Sequence, residues 1–80
     1  MNEIQRIFHS SDGRYRVAMM LDKSGRFVLE VHAFYDEHGF SGWEDITNGM
    51  HLFESEGAAV AAVPELLRNA AGRSNEARTT

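Results

Sequence analysis

The chain has no cysteine, a single proline and, from Asp36 to Glu65, not one lysine or arginine. The first absence excludes disulfides and thiolate chemistry, and makes a reducing compartment the expected one. No run approaches the ~18 consecutive apolar residues that cross a membrane. Residues 1–6 lack the apolar centre of a signal peptide, so a cytoplasmic, non-membrane protein is expected.

The usual catalytic signatures are missing as well. There is no glycine-rich phosphate loop, no Gly-x-Ser-x-Gly turn and no plausible Ser/His/Asp set. His32, His38 and His51 lie near several carboxylates in sequence, but without a His-Glu-x-x-His or Asp-x-Asp-x-Asp-Gly pattern. Exposed turn and strand-edge histidines are the simpler reading, and no metal or cofactor is expected. Glu44 and Asp45 are adjacent, so on a strand their carboxylates would point to opposite faces and could not share one acid–base site. Eighty residues also leave little room for a pocket of ~300 Å3 or more. An enzyme is not expected.

What is present is a clear strand pattern in one domain, and an apolar content of 42% is enough for a globular core. Residues 14–21 and 26–35 alternate apolar and polar around Asp22-Lys23-Ser24-Gly25, the signature of a β-hairpin. Parity sets the register. Pairing Leu21 with Arg26 would oppose every apolar residue to a polar one, whereas pairing Asp22 with Arg26 matches Leu21 to Phe27, Met19 to Leu29, Val17 to Val31 and Tyr15 to Ala33. That leaves a three-residue loop closed by Gly25, which takes positive φ without steric cost. The opposite face pairs Arg16 with His32, Met20 with Val28 and Arg14 with Phe34, a mixture that suggests partial cover.

Residues 4–9 read as a first strand. A loop of Ser11-Asp12-Gly13 would set Ile7 opposite Val17 and keep Arg6 off the core face, and it is preferred over a two-residue loop that sets Phe8 there. After Tyr35, Asp36-Glu37-His38-Gly39 predicts a further hairpin into residues 40–47. By analogy with the first, Trp43 would face Ala33, and a bulge near Gly42 would be needed to keep Asp45 out of the core. Residues 50–54 suit a short last strand. Ser55 is a helix N-cap and residues 58–71 carry an amphipathic helix with Val60, Val63, Leu67 and Ala70 inward and Gly72 at its end. Pro64 cannot donate to the carbonyl of Val60, so the helix is expected to kink or split. The predicted fold is α+β: an antiparallel meander of four to five strands with one C-terminal helix on one face. Residues 1–73 form the domain and 74–80 a frayed tail.

The order Tyr15-x-Val17, Asp22-x-Ser24-Gly25-Arg26-Phe27 and Phe53-Glu54-Ser55 ahead of an alanine-rich helix is similar to the HicB-type antitoxins over about half of the chain. The acidic stretch 36–49 departs from that pattern, and no residue role is carried over.

The net charge of −4 is unevenly spread. Asp36, Glu37, Glu44, Asp45, Glu54, Glu56 and Glu65 have no base among them. Unopposed negative charge steers association with basic surfaces, and aromatic anchors ringed by charge resemble interface hot spots. The expectation is therefore an interaction protein without catalysis. It would bind a basic, nucleic-acid-handling partner through Asp36, Glu37, Phe40, Trp43, Glu44, Asp45, Met50, Glu54 and Glu56, as an antitoxin, immunity protein or anti-CRISPR-type inhibitor does. Charge reversal at Glu44 and Asp45 would weaken binding with the melting temperature nearly unchanged. A first alternative is a nucleic-acid-binding sheet using Arg14, Arg16 and Arg26, with Tyr15, Phe34 and Tyr35 for stacking. A second is a domain that self-associates through Met20, Val28 and Phe34. Monomer and homodimer are both open.

Overall fold

The structure, a computed structural model, describes the backbone of residues 3–79 and the side chains of residues 3–72. Strands β1 (Glu3–His9), β2 (Tyr15–Leu21), β3 (Phe27–Glu37) and β4 (Phe40–Asp45) form an antiparallel sheet in sequence order. Strand β5 (His51–Phe53) returns to β3, and helix α1 (Glu56–Thr79) follows. The architecture is the α+β one that the alternation predicts.

The β2–β3 hairpin has the expected register, Tyr15 with Ala33 through Leu21 with Phe27. Its loop is locked by one carboxylate: Asp22 Oδ1 accepts from the Ser24 hydroxyl and from the amides of Ser24 and Arg26. Gly25, at φ 87°, closes the turn in the left-handed region. Tyr15, Val17, Met19, Leu29 and Val31 then form the core with Ala59, Val63 and Ala70 of α1.

Two registers differ from expectation. On β1 it is Phe8 that opposes Val17, with Ile7 opposite Ala18. Phe8 thus takes the core side, and Arg6 remains at the exposed edge with its guanidinium 4.7 Å from the Phe8 ring centre. A long cationic side chain can lie over apolar surface and keep its head in water, so parity alone did not exclude this arrangement. The register slips between Ile4 and Arg6, a bulge on the edge strand. On β4, Trp43 opposes Phe34, not Ala33, and the ladder to β3 runs without a bulge. The loop is only His38-Gly39, both at positive φ (52° and 83°), the type I′ geometry that matches strand twist. A one-residue slip turns Trp43 and Asp45 outward and removes the need for a bulge.

Strand β5 departs from a simple meander. It pairs with the start of β3, Phe27–Leu29, while β4 pairs with the end, from His32 to Glu37, so the two share one edge of β3. Between them Ile46 N–H donates to Val31 C=O (2.9 Å), and Val31 N–H donates to the Thr47 hydroxyl (2.9 Å).

Helix α1 starts at the expected cap, where Ala58 N–H donates to Ser55 Oγ (3.1 Å). It continues without a break through Pro64, so it does not split, and through Gly72 as far as Thr79. The helical bounds thus include residues 74–79, where a frayed tail was expected; Thr80 lies outside the described residues. Its most buried residues are Ala59, Val63 and Ala70, and Val60 and Leu67 of the predicted stripe pack against the core partly buried. It packs on β2, β3 and β5.

The sheet face away from α1 is partly covered by its own side chains. The pairings align Ile4, Met20, Val28 and Leu52 in one row across β1, β2, β3 and β5. Met20 is 6% exposed within that row, and Ala18 beside it is fully buried.

Candidate interaction surface

Strands β3 and β4 continue past the helix as a two-stranded arm, and every residue from Phe34 to Ser41 is exposed. Such a ribbon is marginal alone, so its rigidity must come from its side chains. On one face the Phe34 and Trp43 rings meet edge to face, with centres 5.3 Å apart. On the other, Tyr35 opposes Gly42 and lies so close that a Cβ at position 42 would come within 2.9 Å of its hydroxyl. The glycine is what lets the ring lie flat on the neighbouring strand.

At its base the arm is anchored through Trp43. The Arg16 guanidinium lies 4.4 Å from the indole centre, and the His9 ring packs at 5.8 Å. Arg16 Nε donates to His32 Nδ1 (3.0 Å), and His32 Nε2 faces Glu30 Oε1 (3.1 Å). With Nδ1 accepting, Nε2 carries the proton and donates to Glu30. His32 is only 9% exposed, so this chain satisfies a buried polar group and orients Trp43 at once. The Arg16–His32 pairing was legible from the hairpin register; the recruitment of Trp43 was not, because it depended on the second hairpin.

The nine residues expected to bind a partner do not form one surface. Asp36, Glu37, Phe40, Trp43 and Glu44 lie on the arm, where Phe40 is 75% exposed. A groove of about 480 Å3 is lined there by Tyr35, Glu37, Trp43 and Glu44. Asp45 stands at the strand break and is held internally. Its Oδ1 accepts from the hydroxyl and the amide of Thr47, and these two bonds, the hydroxyl first, pull its carboxyl below the ordinary carboxylate range. Met50 projects from the β4–β5 connection, 78% exposed. Glu54 and Glu56 belong to the opposite end of β3, about 30 Å away at ~3.3 Å per residue. There they pair with Arg26 (3.6 Å) and Arg6 (3.9 Å). The single face expected over residues 36–56 is therefore corrected to an arm. Asp45 is also corrected, because reversing its charge would strike the strand junction.

The alternative basic face is likewise divided. Arg14 is exposed beside the arm, Arg16 is half-buried against His32 and Trp43, and Arg26 sits at the far end of the hairpin with Glu54. Tyr15 is in the core. Among the described residues no three His, Asp or Glu side chains gather as a metal set, and no helix is long and apolar enough to cross a membrane.

No family model, no curated protein and no solved structure matches this chain.

Proposed function

We propose that the protein is a non-enzymatic binding module that docks its β3–β4 arm onto a cationic protein surface. The observation that carries this reading is the groove lined by Tyr35, Trp43, Glu37 and Glu44. By the strand pairing Tyr35, Glu37 and Glu44 share one face of the ribbon, while the Trp43 ring lies on the other against Phe34 and Arg16. Two carboxylates beside the Tyr35 ring suit the head of an arginine or lysine, through ion pairing and cation–π contact. Asp36 and the exposed Phe40 flank it, and among the described residues no ion pair takes up Asp36, Glu37 or Glu44. A ribbon already held in strand form by its Phe34–Trp43 and Tyr35–Gly42 contacts needs less ordering on binding than a free segment would, which lowers the entropic cost of association. A partner with a basic, nucleic-acid-handling surface would meet these groups, and occupying that surface would neutralise it. This is the role of an antitoxin, immunity protein or anti-CRISPR-type inhibitor.

The test compares the wild type with a Glu37→Lys, Glu44→Lys variant and with Phe40→Ala. Each is immobilised, exposed to lysate of its own cell at several salt concentrations, and read by quantitative mass spectrometry. All three should melt alike, because these side chains lie outside the core. Basic proteins retained at low salt by the wild type and lost by both variants support the arm. Identical capture profiles would reject it. Saturable binding of a labelled single-stranded oligonucleotide, abolished by Arg14→Glu at an exposed position, would favour the nucleic-acid reading instead.

A further inference from the structure

We infer that the groove between α1 and the connection from β4 to β5 binds a small carboxylate- or phosphate-bearing molecule with an apolar body. The cavity measures about 370 Å3; Leu66 offers apolar surface above the buried Val31, and Asn48, His51, Arg68 and Asn69 offer polar groups. A second compartment of about 290 Å3 shares His51, Leu66 and Asn69 and extends past Phe53, Ala62 and Glu65. Together they reach the size of ordinary small-molecule sites.

The groove exists because the edge of β3 is incompletely filled. Strand β5 covers only Phe27–Leu29 and β4 resumes at His32, so the intervening backbone is met by Ile46 and Thr47 while the chain swings outward to Asn48. Helix α1 crosses this gap and presents Leu66, Arg68 and Asn69 to it.

Its chemistry is unlike that of the surrounding chain. Arg68 is the first lysine or arginine after Arg26, yet none of the ion pairs among the described residues involves it. None of the side-chain hydrogen bonds among those residues uses Asn48, His51 or Asn69 either. One guanidinium fork, one imidazole and two primary amides therefore line one cavity, and among the described residues none of them is taken up by another side chain. A planar or tetrahedral oxyanion is the group that uses a guanidinium fork together with neutral donors. Glu65, in the second compartment, repels that head and so orients the ligand, anion toward Arg68 and apolar body along Phe53 and Leu66. This site is separate from the arm and does not depend on it.

The experiment is an NMR titration of the full chain with four probes: acetate, benzoate, inorganic phosphate and phenylphosphate. Neutral benzamide serves as the control. The expected result is saturable shifts confined to Val31 and to residues 48–53 and 62–72. The aromatic member of each pair should bind several-fold more tightly than its small partner, and benzamide should produce none. The tighter of benzoate and phenylphosphate identifies the head group. Arg68→Gln should weaken binding about tenfold or more, as loss of a charge-assisted contact does. Asn69→Asp, an exposed change that places a like charge in the cavity, should do the same. Neither variant should alter the melting temperature, and Arg26→Gln should bind as the wild type does. Non-saturating shifts spread over all arginines, or unchanged affinity in Arg68→Gln and Asn69→Asp, would overturn the assignment.

Discussion

Thr47 does with a side chain what the backbone does elsewhere along β3. Its hydroxyl accepts a hydrogen bond from the amide of Val31, a residue 1% exposed, and donates one to Asp45. Replacing it with valine keeps the shape and removes both bonds. The Val31 amide would then be left without a partner in a place water scarcely reaches, at a cost of about 1–3 kcal/mol. We expect Thr47→Val to lower the urea midpoint accordingly without changing the slope, and to raise the Asp45 pKa toward the ordinary carboxylate value of 3.8. Chemical denaturation and a side-chain NMR titration check the two halves separately. An unchanged midpoint would mean that Ile46 alone holds the junction. The bond was not visible in the sequence, since Asp45-Ile46-Thr47 reads as the tail of a strand. Only the end-to-end placement of β4 and β5 makes Thr47 a bridge.

At the scale of elements, Pro64 is the local conflict. The sequence pattern asks for a helix across it, and α1 is indeed continuous, so tertiary packing of Ala59, Val63 and Ala70 has overridden the break. The missing amide still leaves the carbonyl of Val60 without its helical donor, and an interior proline costs about 3 kcal/mol. Pro64 is exposed, so alanine there meets no core constraint. Pro64→Ala should therefore stabilise the protein by about 1–3 kcal/mol, less whatever the proline gains by restricting the unfolded chain; thermal and urea unfolding measure it. A destabilised variant would mean that the site has adapted to the proline. The same scale shows where reading stopped. The β2–β3 hairpin was legible because alternation on two strands and one glycine allow a single register. The arm was misplaced by one residue because His38 gives no signal that it will adopt φ 52°, a conformation most side chains avoid. That slip decides whether Trp43 is core or surface. The arm as a feature was therefore legible, its faces were not, and the cavity at Arg68, whose walls come from several separate segments, left no pattern at all.

For the whole molecule, two bulk measurements follow from how charge and apolar surface are distributed. Asp12, Asp22 and Asp45 all have carboxyls held below their ordinary value of 3.8, chiefly by the hydroxyls of Ser10, Ser24 and Thr47 respectively. A carboxyl depressed in the folded state contributes stability above its unfolded pKa and loses it as pH falls through the folded value. Stability should thus be flat in these groups at neutral pH and decline below about pH 4. Asp12→Asn, Asp22→Asn and Asp45→Asn should each make that decline shallower in pH-resolved denaturation, and an unaltered acid limb would place the acid sensitivity elsewhere.

The uncovered sheet face bears on whether the chain pairs with itself. Four strands at ~4.8 Å spacing and about 20 Å of strand length give a face near 400 Å2 per copy. Stacking two copies would remove roughly 800 Å2 in total, against the ~1,200–2,000 Å2 of stable interfaces. Part of even that area is already sealed, since Met20 and Ala18 are buried by their own cross-strand neighbours. Of the two sheet edges, β4 belongs to the arm; pairing through the other, β1, meets the bulge between Ile4 and Arg6, which interrupts the regular run of donors and acceptors that a second strand would need. Both routes fall short by magnitude or geometry, so the protein should sediment as a monomer at micromolar concentration, with Ile4→Lys leaving the profile unchanged. A dimer dispersed by Ile4→Lys would show that this face is larger in solution than its strands allow, and would transfer the binding role from the arm to the sheet.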